Sequence, residues 1–219
     1  NADKDCHGNC SNCGELDGSP GSEICVGSGY LDACNNNSFV NTCGIDACGV
    51  CDGDGSSCDG TLLVPSEYFT IQSGINACSN GDTVFVASGT YYEQLTITDK
   101  ILTIMSQSGP SSTTINGGAT GRPVTITGTS ALTLKGFSIT NGLSDNGGGI
   151  NISSTGGVLL ENLHVYDNDA TSEGGGIYTS DNSNVTINSC KVYSNSCVSR
   201  GGGIINRGNN IIQNSLIYN

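Results

Sequence analysis

From Leu62 onward, apolar residues alternate with Thr, Ser or Asn in short runs: Thr83-Val84-Phe85-Val86, Leu95-Thr96-Ile97-Thr98, Leu102-Thr103-Ile104, Val124-Thr125-Ile126-Thr127 and Leu132-Thr133-Leu134. A period of two over four or five residues, broken by Gly, Asn and Ser, predicts many short strands with one buried face. Ahead of them, Ser66 to Ala77 spaces Phe69, Ile71 and Ile75 like a short amphipathic helix, placed to cover the first open rung of whatever the strands build. Residues 1–60 show neither period. They are rich in Cys, Gly, Asp and Asn and hold few aliphatics, which predicts a loop-built module held by disulfides.

The strand pattern repeats. Gly-Gly-Gly-Ile occurs at Gly147–Ile150, Gly174–Ile177 and Gly201–Ile204, twice at a step of 27. Asn141, Asn168 and Asn195 keep the same step. Leu134/Phe137/Ile139, Leu160/Leu163/Val165 and Ile187/Cys190/Val192 form a third, strand-like set, and Ile217-Tyr218 matches Val192-Tyr193. Such a period signals a solenoid. Each repeat holds several short β-type runs and no helix-length segment. The prediction is therefore an all-β parallel β-helix of roughly six coils over residues 61–219, with strands stacked about 4.8 Å apart. Ile should lie on Ile, the Asn column should adopt left-handed bends and bond from coil to coil, and the Gly triplets should turn tight corners.

The stretches Thr70–Ala77, Gly81–Val86, Gly89-Thr90-Tyr91-Tyr92-Glu93 and Thr113–Gly117 resemble the opening of pectin-lyase-like right-handed β-helix proteins. That resemblance implies a right-handed solenoid whose first coil is capped by a short helix. The Gly-Gly-Ile corners resemble the coils of bacterial surface adhesins. Asp46–Cys58 is similar to a Cys-Gly-Val-Cys-Gly-Gly-Asp motif of extracellular Cys-rich modules, with Asp52 in place of the usual Gly. The fold hosts enzymes, adhesins and inert stalks alike, so function must be argued from a site.

Composition narrows the choice. Net charge is −13 with seven Lys plus Arg, which argues against nucleic acid and anionic membranes as partners. No stretch is apolar for long enough to span a bilayer. Twelve cysteines, nine of them between Cys6 and Cys58, point to an oxidising extracellular or cell-surface setting. Nine is odd, so Cys78 is expected to pair with the N-terminal module and Cys190 with Cys197. The chain opens at Asn1 and reads as a mature or trimmed form. Sequons at Asn36, Asn151 and Asn184, with a weaker one at Asn9, offer sites for glycosylation.

Candidate chemistry is sparse. Asp52, Asp54 and Asp59 sit in an Asp-Gly-Asp-Gly context that suits Ca2+, though the full twelve-residue loop is missing, and Asp-Gly turns between disulfides would look the same. Asp145, Asp167, Asp169, Glu173 and Asp181 lie on repeat bends, where paired carboxylates would serve a glycosidase. Glu173 and Arg200 should stack as an ion pair on adjacent coils. His164, between inward Leu163 and Val165, reads as a surface residue, and Lys135 and Lys191 have no acidic trio for lyase chemistry. Thr96, Thr98, Thr125 and Thr127 form short threonine columns of the kind an ice- or glycan-binding face would use. Tyr166, Tyr193 and Tyr218 occupy equivalent outward positions, either to contact a carbohydrate or a neighbouring subunit, or simply to stack. No catalytic residue or cofactor is assigned. The last coil ends at Ile217-Tyr218-Asn219 without a polar cap, so either the sequence is a fragment or something covers the end, as a second copy would by head-to-tail assembly. These features point to an extracellular structural or adhesive protein, in its finer form a subunit of a head-to-tail surface filament or appendage, with self-assembly or surface glycans as its contacts. A carbohydrate-active enzyme or a glycan-binding module is the alternative.

Overall fold

The computed structural model describes residues 60–218, and before them only the backbone of five short segments between Asp3 and Leu31. Contacts divide the chain into two units, Asn1–Asp59 and Gly60–Asn219. The second unit is a parallel β-solenoid of about six coils.

Its strands form three principal sheets. The first holds seven: Thr61–Val64, Thr83–Val86, Ile101–Ser106, Ala131–Lys135, Gly157–Glu161, Asn184–Asn188 and Ile211–Gln213. The second holds six: Gly89–Tyr91, Thr113–Asn116, Ser138–Thr140, His164–Tyr166, Lys191–Tyr193 and Leu216–Tyr218. The third holds five: Leu95–Thr98, Val124–Gly128, Ile150–Ser154, Ile177–Thr179 and Ile204–Asn206. Each strand pairs in parallel with its counterpart in the next coil, which satisfies the backbone along the axis. Ile150 pairs with Ile177 and Ile177 with Ile204, so the expected column is present.

The corner between the second and third sheets lengthens along the solenoid. In the first coil it runs from Thr90 to Thr96; in later coils it runs from His164 to Tyr178 and from Lys191 to Ile205. The extra residues form a small fourth face: Leu143–Asn146, Asp169–Glu173 and Ser196–Cys197.

Inward residues make one narrow core. Ile104, Leu134, Leu160 and Ile187 pile up behind the first sheet, and Ile115, Ile139, Val165 and Val192 behind the second, all fully buried. Phe137, Leu163 and Cys190 fill the corner between them.

The helix is shorter than its pattern suggested, running only from Ile71 to Ala77. Phe69 lies outside it and is 90% exposed, because Ser66–Phe69 form a turn and bend rather than a helical turn. Ile71, Gly74 and Ile75 are buried against the first strands. Two side chains lock this lid. Glu93 accepts from Ile71 N and Gln72 N, both at 2.9 Å, capping the helix start. The Gln72 amide accepts from Thr96 N at 2.8 Å and donates to Thr96 O at 3.2 Å. It thereby satisfies backbone groups on the edge of the third sheet, as another strand would.

The asparagine column needs correction. Asn141 stands over Asp167 and Ser194, which share its left-handed backbone at φ 53°, 51° and 52°. Asn168 and Asn195 instead occupy the next position, where the earlier coil has Gly142. The step across the second sheet is 26, from Thr140 to Tyr166, whereas the Gly triplets step by 27. A bulge between Ser144 and Asn146 absorbs the difference. Asn168 and Asn195 are nevertheless a buried ladder. Asn168 Nδ2 reaches Ile139 O (3.0 Å), Tyr166 O (2.9 Å) and Asn195 Oδ1 (2.9 Å), while its Oδ1 accepts from Gly142 N (2.9 Å). Asn195 Nδ2 repeats the pattern on Val165 O and Tyr193 O, both at 2.9 Å.

This ladder explains the glycine triplets. The first member turns with positive φ at Gly147 (68°), Gly174 (65°) and Gly201 (67°). In the first two triplets the third member packs directly on the ladder: a Cβ on Gly149 would sit 2.7 Å from Gly176 O and 2.9 Å from Asn168 Nδ2, and one on Gly176 would sit 2.9 Å from Asn195 Nδ2.

Candidate functional site

The outer face of the second sheet carries the clearest constellation. Thr140, Tyr166, Tyr193 and Tyr218 pair in one column, so period-two alternation fixes all three rings outward and one above another. Tyr166 and Tyr193 stack with centroids 5.1 Å apart and Tyr193 and Tyr218 at 5.4 Å, each pair within 8° of parallel. Tyr218 is 52% exposed and the other two are half-buried. Burial, the flanking phenols and Asp167 hold the Tyr193 hydroxyl above its ordinary pKa. The rings cover each other's faces, so the ladder offers edges and hydroxyls rather than flat platforms to a partner.

The neighbouring column runs Ser138, His164, Lys191 and Leu216. His164 does face outward. Partial burial, then the Lys191 charge, lower its pKa, so it stands as a neutral imidazole with no carboxylate partner among the described residues. Lys135 pairs with Glu161 at 3.0 Å.

The first sheet presents a shallow open groove of about 630 Å3, lined among others by Ile101, Thr103, Ala131, Thr133, Leu159 and Thr186. None of its lining residues is charged. On the third sheet, Thr96 pairs with Thr125 and Thr98 with Thr127, with Thr98 and Thr127 hydroxyls 2.8 Å apart. The columns continue as Asn151 and Ser153, so they are only two threonines deep.

Three of the five acidic bend residues are occupied locally. Asp145 accepts from Thr171 Oγ1 at 2.9 Å, and Asp169 accepts from Ser196 Oγ. Glu173 bridges to Arg200 in the next coil, with 3.8 Å between their charged groups. A closer partner, which the repeat did not reveal, is Arg207, whose guanidinium also lies over the Tyr178 ring at 5.7 Å. The Glu173 side chain is 13% exposed while Arg207 and Arg200 are 39% and 74% exposed, so the carboxylate is largely covered and its cationic partners reach solvent. Asp167 turns a left-handed bend and Asp181 is exposed. Among the described residues, no group of three or more His, Cys, Asp or Glu side chains is placed to hold a metal ion. The calcium candidates Asp52, Asp54 and Asp59 lie outside the described residues, as does Asn36.

The expected Cys190–Cys197 bridge is absent, and both are free thiols. Cys190 points into the core, 3.4 Å from Leu163 N, while Cys197 sits on the fourth face beside Ala170. Counting cysteines misled here, because a corner turns the chain between these two. Cys78 is buried and bridges no other cysteine among the described residues; the module expected to hold its partner lies outside them. Of the remaining sequons, Asn184 is exposed beside the groove. Asn151 commits its Nδ2, the atom a glycan would join, to Asn146 O at 3.1 Å.

No described helix is long and apolar enough to cross a membrane. No curated protein and no solved structure matches the chain. A family model described as "Right handed beta helix region" matches residues 66–219. Together with the stacked parallel strands, that match makes this chain a member of the right-handed β-helix family.

Proposed function

We propose that the chain is an extracellular structural and adhesive protein whose β-helix is a stiff spacer and whose sheet faces meet surface glycans. One observation carries this reading: the inward aliphatic rows run from coil to coil without a break, and outer ladders reinforce the later coils. Aliphatic rows lie inside, the Asn168–Asn195 ladder seals one corner, and the tyrosine stack clamps the outside. Bending such a body means breaking several rows of contacts at once. The uncharged groove on the first sheet suits a neutral glycan better than an acidic one, given the net charge of −13.

Immobilised full-length protein should retain neutral glycans or glycan-bearing surfaces, and Thr133→Arg with Leu159→Arg should abolish that retention. Retention of no glycan would reject the adhesive half of the reading. Turnover of pectin, alginate or neutral glycans, lost on Asp167→Asn or Glu173→Gln, would replace it with an enzyme. Head-to-tail assembly is the finer form of the proposal. It requires a second copy to cover Ile212 and Ile217, which are 37% and 48% exposed in the last described coil. Particles that stay monomeric by light scattering at high concentration would remove it.

A further inference from the structure

The tyrosine stack has a chemical consequence beyond contact. We propose that Tyr166, Tyr193 and Tyr218 form an oxidative cross-linking site, at which a peroxide-driven one-electron oxidant joins neighbouring coils through a dityrosine bond.

The geometry supplies the proximity that radical coupling needs. Two phenoxyl radicals must meet before either is quenched, and their ortho carbons carry much of the unpaired spin. In the stack, the Tyr193 ring has a parallel neighbour on each side, at 5.1 and 5.4 Å between centroids. The backbone holds them there, because Tyr166–Tyr193 and Tyr193–Tyr218 are direct partners in the second sheet. Effective concentration in such a pair far exceeds that of any bimolecular encounter. The other described tyrosines are differently placed: Tyr91 donates its hydroxyl to Ala87 O at 3.0 Å, and Tyr178 lies beneath Arg207.

The step balances as follows. Each of two tyrosines gives up one electron and its phenolic proton. The two radicals form one Cε–Cε bond, and each ring then moves its displaced ortho hydrogen to oxygen, restoring both phenols. Two protons and two electrons leave in total, and one hydrogen peroxide takes them to become two waters. Tyr193 is common to both pairs, so the first link is 166–193 or 193–218, and a second through its other ortho carbon consumes a second hydrogen peroxide.

The sequence makes the product easy to read. Cleavage after Lys and Arg places Tyr166, Tyr193 and Tyr218 on three separate peptides, with cuts at Lys135, Lys191, Arg200 and Arg207. Folded full-length protein is treated with peroxidase and hydrogen peroxide, digested, and examined by dityrosine fluorescence and mass spectrometry. The expected result is peptides joined through Tyr193 to Tyr166 or Tyr218, lighter by two hydrogens, at a yield independent of protein concentration. Tyr193→Phe, which keeps the ring in the stack and should melt like the parent, should lose both links, whereas Tyr178→Phe should lose neither. Links whose yield rises with protein concentration, links formed equally in denatured chain, or dityrosine between described coils surviving in a folded Tyr193→Phe variant would overturn the proposal.

Discussion

Asn168→Asp is the sharpest probe of the ladder, because it exchanges one amide for a carboxyl of nearly the same shape. Asn168 is fully buried, and its Nδ2 serves Ile139 O, Tyr166 O and Asn195 Oδ1. An ionised Asp has no hydrogen to offer any of them. Each buried acceptor left unpaired costs about 1–3 kcal/mol, and the new charge faces three oxygens in a dry site. We expect a loss of about 3–5 kcal/mol at pH 8, a large part of the 5–15 kcal/mol typical of a folded domain. Protonation returns one O–H donor, so the folded-state pKa of this Asp must lie above its unfolded value near 3.9. The variant's deficit relative to the parent is therefore complete above the raised folded pKa and shrinks as pH falls through it toward about 4. Urea midpoints of parent and variant at pH 8 and pH 4.5, with amide exchange at Gly142 and Asn168 as a local readout, test this. Asn184→Asp, on the exposed end of its strand, serves as the control. A variant as stable as the parent at pH 8, or one equally impaired at both pH values, would show that the ladder is not what holds this corner.

Three further expectations follow from close contacts. Gly149→Ala should cost about 1–3 kcal/mol by overpacking, since its Cβ would meet Gly176 O and Asn168 Nδ2, whereas Gly157→Ala, with nothing within 4 Å, should be neutral or slightly stabilising in the same melts. Glu93→Ala should free the amides of Ile71 and Gln72 and cost about 1–2 kcal/mol, seen first as faster exchange over residues 71–77; unchanged exchange there would remove Glu93 from the lid. Burial pushes the Cys78 and Cys190 thiols up to about 11, so in folded protein at pH 8 both should resist iodoacetamide while half-exposed Cys197 is alkylated; equal labelling of Cys190 and Cys197 would contradict the packing.

Much of the solenoid was legible in the chain, because its interior obeys two simple rules. Period-two alternation set which residues point inward, and the 27-residue step placed Ile150 under Ile177 and Tyr166 under Tyr193. The asparagine column failed at Asn141, because a repeat count cannot see a bulge that adds one residue to a single face. Glu93 and Gln72 were read as parts of a familiar opening, not as the groups that close it, since their work lies in hydrogen bonds to distant backbone. Arg207 escaped for a similar reason: it reaches Glu173 from outside the repeat columns. The Cys190–Cys197 bridge followed from counting cysteines, and a count does not tell that one thiol points into the core while the other sits on the fourth face. The candidate site was visible as a column of tyrosines with stacking as one of its readings, and the 5.1 and 5.4 Å centroid spacings decide for stacking.

The lengthening corner between the second and third sheets shows how this architecture can gain surface without redesign. From the first coil to the last, that connection more than doubles, yet the strands on either side keep their partners. A peptide inserted near Leu143–Asn146 or Ser196–Cys197 would face solvent and meet little entropic penalty for its added length. Loop grafting there, rather than within the strand rows, is the route by which such a scaffold can be given a new specificity.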